Sequence, residues 1–171
     1  MAPRRPGVAG AFPAAVEPPT TPKPDPAQLY AALDSGTNSC RMLIAQPKGR
    51  QFNVVDSFSK SVQLGHGLEA SGRLSRASIG RTVQALQICR RKIEALDVKR
   101  MRLVATEACR RAKNAGEFLK MVRRETGLPL EIIQPEEEAR LAVVSCAPLV
   151  STRTEQLLVV DRFDVVAVDR V

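Results

Sequence analysis

Leu33-Asp34-Ser35-Gly36-Thr37-Asn38-Ser39-Cys40 is a polar stretch with a single glycine, set between two short apolar runs, residues 29–33 and 42–45. Both runs have the length and composition of strands, so the polar stretch reads as the bend of a hairpin. Such a bend places Asp34 at the end of the first strand. From Gly36 to Ser39, backbone amides and small hydroxyls then project around the turn. Successive N–H groups form a concave anion site, and glycine lets the backbone come close to a phosphate. Asp34 is placed to hold a metal ion directly or through water, since Mg²⁺ takes one or two carboxylates beside phosphate oxygens. The same residues also fit a plain strand–turn–strand with a capping aspartate, because short polar turns are common.

The rest of the chain is sized to support one such site. Its 171 residues leave room for one domain and a tail. A fold of ~150 residues buries about 68–70% of its unfolded surface and needs no disulfide or metal for stability. Cys40, Cys89, Cys109 and Cys146 form no C-x-x-C pair, and His66 is the one histidine. That pattern points away from zinc and from a disulfide scaffold, toward a reducing, cytoplasmic setting. No apolar run approaches the roughly 18–20 residues of a membrane span. Pro13 interrupts the apolar run after Arg4 and Arg5, which argues against a secretory signal. Eight of the twelve prolines fall in residues 1–26, so residues 1–27 are expected to be a disordered, partly polyproline-like leader outside the fold.

Beyond the hairpin, residues 51–58 read as a third strand with imperfect alternation, after a turn at Pro47-Lys48-Gly49. Leu64-Gly65-His66-Gly67-Leu68 is a glycine-rich connection, with His66 as a loop histidine lacking any visible nucleophile to serve. Ser75 has the character of an N-cap, and Ile79, Val83, Leu86, Ile93 and Leu96 recur at helical spacing up to about Asp97. Residues 102–106 form a strand candidate running into Glu107-Ala108-Cys109-Arg110-Arg111. Asn114 with Glu117 resembles a capping box, opening a helix that Gly127 and Pro129 close. Residues 130–133 are a further strand. Pro135 suits the first position of the next helix, with Glu136, Glu137 and Glu138 crowding its positive end and Pro148 stopping it. Residues 157–161 supply a last strand.

Three strands followed by alternating helices and strands predict an α/β fold: an antiparallel meander extended into a mixed sheet and covered by helices. Right-handed crossovers put the fourth and fifth strands parallel to the first and beyond it. The ends of the first and fourth strands then lie side by side. Asp34 and Arg110 would share one cleft, where an open α/β sheet takes its ligand.

Three segments carry a family resemblance. Asp34-Ser-Gly-Thr-Asn-Ser-Cys-Arg41, Ala105-Thr-Glu-Ala-Cys-Arg-Arg-Ala112 and Pro135-Glu-Glu-Glu-Ala-Arg140 resemble the exopolyphosphatase and guanosine pentaphosphate phosphohydrolase family. Its fold is ribonuclease H-like, as in the actin-like ATPases. The resemblance runs from about Tyr30 to Asp161. It implies that Gly36, Thr37, Asn38 and Ser39 form the first phosphate loop and that Glu138 is the catalytic base. Arg110 would correspond to a phosphate-binding arginine, and Asp34 and Asp161 to metal-associated aspartates, with Mg²⁺ as the cofactor. It further implies that residues 28–155 are the first lobe of the phosphatase and residues 156–171 a divergent start of a second lobe. Family members follow the Asp161 position with a glycine-rich loop, whereas residues 162–171 here contain no glycine. The chain therefore reads as a truncated lobe, expected to be inactive alone and to expose a strand edge at Val165, Val166 and Val168 that favours homo-oligomers.

Cleaving a phosphoanhydride with water needs charge neutralisation around a terminal phosphoryl and an oriented nucleophile. Arg110, the loop amides and a metal ion suit the first task; a carboxylate suits the second, contributing roughly 10²–10⁴-fold as a general base. On spacing alone, Glu136 to Glu138 equally complement a helix dipole, and only the resemblance singles out Glu138. Thirteen of the 26 Lys and Arg residues lie between Gly80 and Arg124. They form either a face that attracts a polyanion or ordinary solvated helix surface. Nucleic acid is disfavoured despite the formal net charge of +8, since one Tyr and no Trp offer little for base stacking. The implied partners are inorganic polyphosphate or guanosine pentaphosphate. The alternative is a non-catalytic remnant that binds polyanions or another protein.

Overall fold

A computed structural model of the chain describes residues 25, 28–49, 51–146, 156–160 and 165–169, the last two stretches as backbone. The 1–27 leader apart from Asp25, Pro148 and Asp161 lie outside the described residues.

Strand β1 (Tyr30–Ser35) pairs antiparallel with β2 (Ser39–Lys48), which pairs with β3 (Gln51–Ser61). Strands β4 (Arg100–Ala105) and β5 (Glu131–Ile132) add on the other side of β1, both pairings parallel, giving the order β3-β2-β1-β4-β5. This is the mixed sheet expected from the sequence, with the fourth and fifth strands beyond the first. The uneven alternation of β3 has a local cause: the β2–β3 register shifts between Ile44 and Ala45, re-aiming the side chains that follow. The last expected strand is present, and a further one follows it. Strand β6 (Gln156–Val160) pairs antiparallel with β7 (Val165–Asp169) in a separate two-stranded sheet. The valine-rich segment is thus paired with its own neighbour, not left as a bare extension.

Alternation along β1 divides the molecule. Ala31, Leu33 and Ser35 are buried, while Tyr30, Ala32 and Asp34 are exposed on the other side. Helices α2 (Arg76–Ala95) and α4 (Ala115–Thr126) supply the buried face. Ile79, Val83, Leu86, Cys89 and Ile93 line the inner stripe of α2, as the helical spacing predicts, and Leu96 is its C-cap. Phe118 and Val122 of α4 are fully enclosed. Fully burying a side chain of this size contributes about 1.5–3 kcal/mol, so this layer carries the stability.

The helix ends follow local chemistry in one case and long-range contacts in another. Ser75 caps α2 as expected, its Oγ accepting from the Ser78 N–H at 3.1 Å. Gly127 ends α4 in the left-handed region at φ 69°, which only glycine enters without cost. The capping box expected at Asn114 does not form. Asn114 Oδ1 accepts from Leu74 N–H at 2.8 Å and its Nδ2 donates to the Leu74 carbonyl at 3.0 Å. Holding both backbone groups of Leu74 orients the buried carboxamide toward that residue and away from the N–H groups of its own helix. Glu117 pairs with Arg73 instead. Two short helices escaped the sequence reading: α1 (Leu68–Ser71) and α3 (Glu107–Arg111). Helix α5 (Pro135–Cys146) begins at Pro135, as expected.

A candidate phosphate-handling cleft

Because β1 and β4 are parallel and in register, Ser35 lies beside Ala105 and both strands end at one edge. The hairpin turn, residues 36–38, leaves from one strand and α3 from the other. Above this edge, on the side of the sheet away from α2 and α4, an open cleft of about 770 Å³ is lined by Asp34, Arg41, Arg102, Thr106 and Glu138 among others. Leu141, Ala142 and Ser145 of α5 form its far wall.

Of the expected site residues, Asp34 and Glu138 line this cleft, whereas Gly36, Thr37, Asn38, Ser39 and Arg110 stand outside its lining. Asp34 sits opposite Arg41 in the β1–β2 ladder, and both reach the cleft. The turn is closed by the Gly36 N–H donating to the Ser39 carbonyl at 2.9 Å. The Gly36 amide is therefore spent inside the turn. Thr37 and Asn38 turn their carbonyls backward: Gly65 N–H donates to Thr37 O at 3.0 Å, and Val62 and Gln63 N–H groups donate to Asn38 O at 2.9 Å. Among the described residues, the Thr37 and Asn38 N–H groups donate to no other backbone group. Two successive open amides, with their carbonyls facing away, form the kind of concavity that accepts an anion oxygen. The Thr37 hydroxyl is directed elsewhere, donating to Glu107 Oε2 at 3.4 Å.

Arg110 and Glu138 form an ion pair. Arg110 Nη1 donates to Glu138 Oε2 at 2.7 Å and to the Ile133 carbonyl at 2.9 Å. The pair is shielded, with side-chain exposures of 15% for Arg110 and 28% for Glu138. Neighbouring Glu137 has a different assignment. It accepts from Arg140 and from Arg102, and these two guanidinium groups lower its carboxyl to about 2. Arg102 also grips Glu131, so β4, β5 and the first turn of α5 are tied together at the rim. Of the three consecutive glutamates, one therefore braces the helix against the sheet and the next faces Arg110 beside the cleft. The sequence contained no local signal for Arg41 or Arg102. Both become visible only when the strand register puts them on the cleft side.

Several of the basic residues between Gly80 and Arg124 are held in ion pairs. Lys92 is tied to Asp56, Arg102 to Glu131 and Glu137, Arg110 to Glu138, and Arg111 to Glu69 and Glu107. His66 is an exposed turn residue, in keeping with its reading as a loop histidine. Cys40, Cys89 and Cys109 are buried free thiols; desolvation pushes Cys109 up to about 12, so it is inert at neutral pH. No helix among the described residues is long and apolar enough to cross a membrane.

A metal ion fits this donor set in one way. Among the described residues no group of three or more His, Cys, Asp or Glu side chains is arranged to hold one. Asp34 is a single hard carboxylate at the cleft edge. That suits an ion such as Mg²⁺, which binds through one or two carboxylates and takes its remaining ligands from phosphate and water. It does not suit a preformed protein cage.

A mixed five-stranded sheet with this order, and a turn at the joined ends of its first and fourth strands, defines an actin-like, ribonuclease H-like lobe. The sequence pattern of the Ppx/GppA phosphatase family matches residues 43–162, and the chain belongs to that family. A solved Ppx/GppA family member from Aquifex aeolicus superposes with a TM-score of 0.71 at 34% identity, over 83% of this chain and 51% of that one. Another structure of the Aquifex aeolicus enzyme gives 0.72 at 34% identity, over 84% and 52%. An exopolyphosphatase-like protein gives 0.69 at 27% identity, over 76% and 40%. The chain thus spans about half the length of the Aquifex aeolicus structures it matches.

Proposed function

We propose that this lobe binds the terminal phosphates of an inorganic polyphosphate or guanosine pentaphosphate and supplies the base for hydrolysis of the outer phosphoanhydride. Family membership supports a phosphatase-type role; the assignment of residues is our own reading. The observation that carries it is the shielded Arg110–Glu138 pair beside a cleft that also holds Asp34. A guanidinium and a carboxylate brought together there from separate helices put an anion-binding group next to a proton acceptor.

In this reading a terminal phosphoryl oxygen engages Arg110 and competes with Glu138 for the guanidinium. Glu138, displaced from that contact, accepts the proton of the attacking water. The Thr37 and Asn38 N–H groups take oxygens of the adjoining phosphates, and the exposed Arg41 adds charge at the cleft edge. Asp34 would hold Mg²⁺, which when bound neutralises charge on the phosphate oxygens. Asp161 is proposed as a second carboxylate for the same ion.

Positioning catalysis needs donors around the whole transferring phosphoryl, and the groups named here surround one side of it. The 171-residue chain alone is therefore expected to bind polyphosphate without releasing phosphate above background. In a protein carrying this lobe with the remaining half of a relative, Glu138→Gln should abolish Mg²⁺-dependent phosphate release and leave polyphosphate binding intact. The substitution keeps size and hydrogen bonding but removes the base. Equal turnover in the two proteins would exclude Glu138 as the base.

A further inference from the structure

The turn at residues 36–38 is gripped from two sides by groups that the hydrolytic reading leaves unused. On one side the Thr37 hydroxyl donates to Glu107 Oε2 at 3.4 Å. The other oxygen of Glu107 accepts from Arg111 Nη1 at 3.1 Å, and Arg111 Nη2 reaches Glu69 at 2.6 Å. On the opposite side the Gly65 N–H holds the Thr37 carbonyl. A Cβ built at Gly65 would stand 2.5 Å from Thr37 Cγ2, so this position admits only glycine unless the threonine moves. The hydroxyl, methyl and carbonyl of Thr37 are thus all committed to the protein.

Electrostatics makes the arrangement informative. A carboxylate beside an anion-binding turn repels a polyanion, and simple charge considerations would remove it. Here it is present and paired with Arg111. We propose that Glu107 is a positioning residue, fixing the Thr37 hydroxyl so that the Thr37 and Asn38 N–H groups are held ready for a phosphate. This rests on the phosphate reading of the turn, and it departs from the expectation that the Thr37 hydroxyl itself binds phosphate.

The two roles predict opposite signs. The test uses the intact 171-residue chain with a short fluorescent polyphosphate, followed by anisotropy. Hydrogen exchange of the amides that close or grip the turn, those of Gly36, Val62, Gln63 and Gly65, is measured on the same proteins without ligand. Glu107→Ala should weaken binding about threefold, less than a short charged hydrogen bond would give because the contact is 3.4 Å long, even though it removes a negative charge. Thr37→Val should weaken it as much, the double variant no further, and Thr37→Ser should restore it. Exchange of the amides bonded to the turn's carbonyls, Gly36, Val62, Gln63 and Gly65, should rise in Glu107→Ala at unchanged melting temperature. Glu107→Gln, which keeps an acceptor of the same size, stands in if the alanine variant unfolds, and should retain most of the protection. Tighter binding by Glu107→Ala, additive losses in the double variant, or unchanged exchange would overturn the proposal. If the parent chain binds no polyphosphate, the phosphate reading of the turn fails separately. The exchange measurement then decides alone whether Glu107 holds Thr37.

Discussion

The two faces of the sheet are built from the same strands and behave as different materials. Toward α2 and α4, Ala31, Leu33, Met42, Ile44 and Leu103 are sealed into an apolar core. Toward the cleft, the alternate residues Asp34, Arg41 and Arg102 are charged, and α5 covers them only in part. One residue of strand register separates stability from chemistry. Substitutions on the first face should therefore cost folding free energy, and substitutions on the second should cost binding.

Phe118→Ala is the strongest way to break that division. The side chain is fully buried, and its removal leaves a cavity that the surrounding layer cannot fill. A loss of about 3–5 kcal/mol is expected in urea denaturation. Polyphosphate affinity of the remaining folded protein should be unchanged. A loss below about 1 kcal/mol would mean that this layer does not carry the stability.

Arg110 and Arg100 sharpen the comparison within a single charge type. Arg110 is shielded beside the cleft, whereas Arg100 lies at the far end of β4, its guanidinium 5.4 Å from the Tyr30 ring centre. Arg110→Ala should weaken polyphosphate binding about tenfold, or ~1.4 kcal/mol. Arg100→Ala should have a smaller effect that vanishes with added salt, because screening removes long-range fields beyond roughly 8–10 Å. Indistinguishable salt series for the two variants would move Arg110 out of the site.

The smallest effect is expected from Glu137, which belongs to the cleft rim but braces the fold. Arg140 and Arg102 lower its carboxyl from 4.5 to about 2. A depressed carboxyl stabilises the native state above its unfolded value, and that contribution is lost as pH falls. The difference in stability between the parent chain and Glu137→Gln should be constant above pH 4.5 and shrink toward pH 2, within the window those values set. Its partners Arg102 and Arg140 are exposed, so added salt should reduce the difference throughout. A difference that grows on acidification would contradict the assignment.

How far the sequence discloses these features depends on the range of the interactions behind them. Ser75 was legible because its partner is Ser78, three residues on. Asn114 does stand at the N-cap of α4, but the bond expected of its side chain goes to Leu74, 40 residues away, which nothing local signals. The sheet order followed from crossover handedness, and the meeting of Asp34 with the α3 end of β4 followed with it. The bulge at Ile44/Ala45 did not, since nothing local marks a register shift. At the site, Glu138 was singled out by family resemblance, because acidic residues open many helices. The division of labour between Glu137 and Glu138 depends on which arginine each one meets, and Arg102 and Arg110 reach α5 from different elements. The Thr37–Glu107 contact spans 70 residues and was equally invisible.

The central claim is that the cleft face at the joined ends of β1 and β4 receives a terminal phosphate, while the face packed on α2 and α4 does not. Backbone and arginine side-chain NMR of the labelled 171-residue chain, titrated with a short polyphosphate in the presence of Mg²⁺, tests it most directly. The largest shifts should fall on the Thr37 and Asn38 amides and the Arg110 guanidinium, with Arg100 and the inner stripe of α2 unmoved. Shifts centred on Arg100, or on the exposed basic side chains of α2 and α4 with residues 36–39 silent, would contradict it.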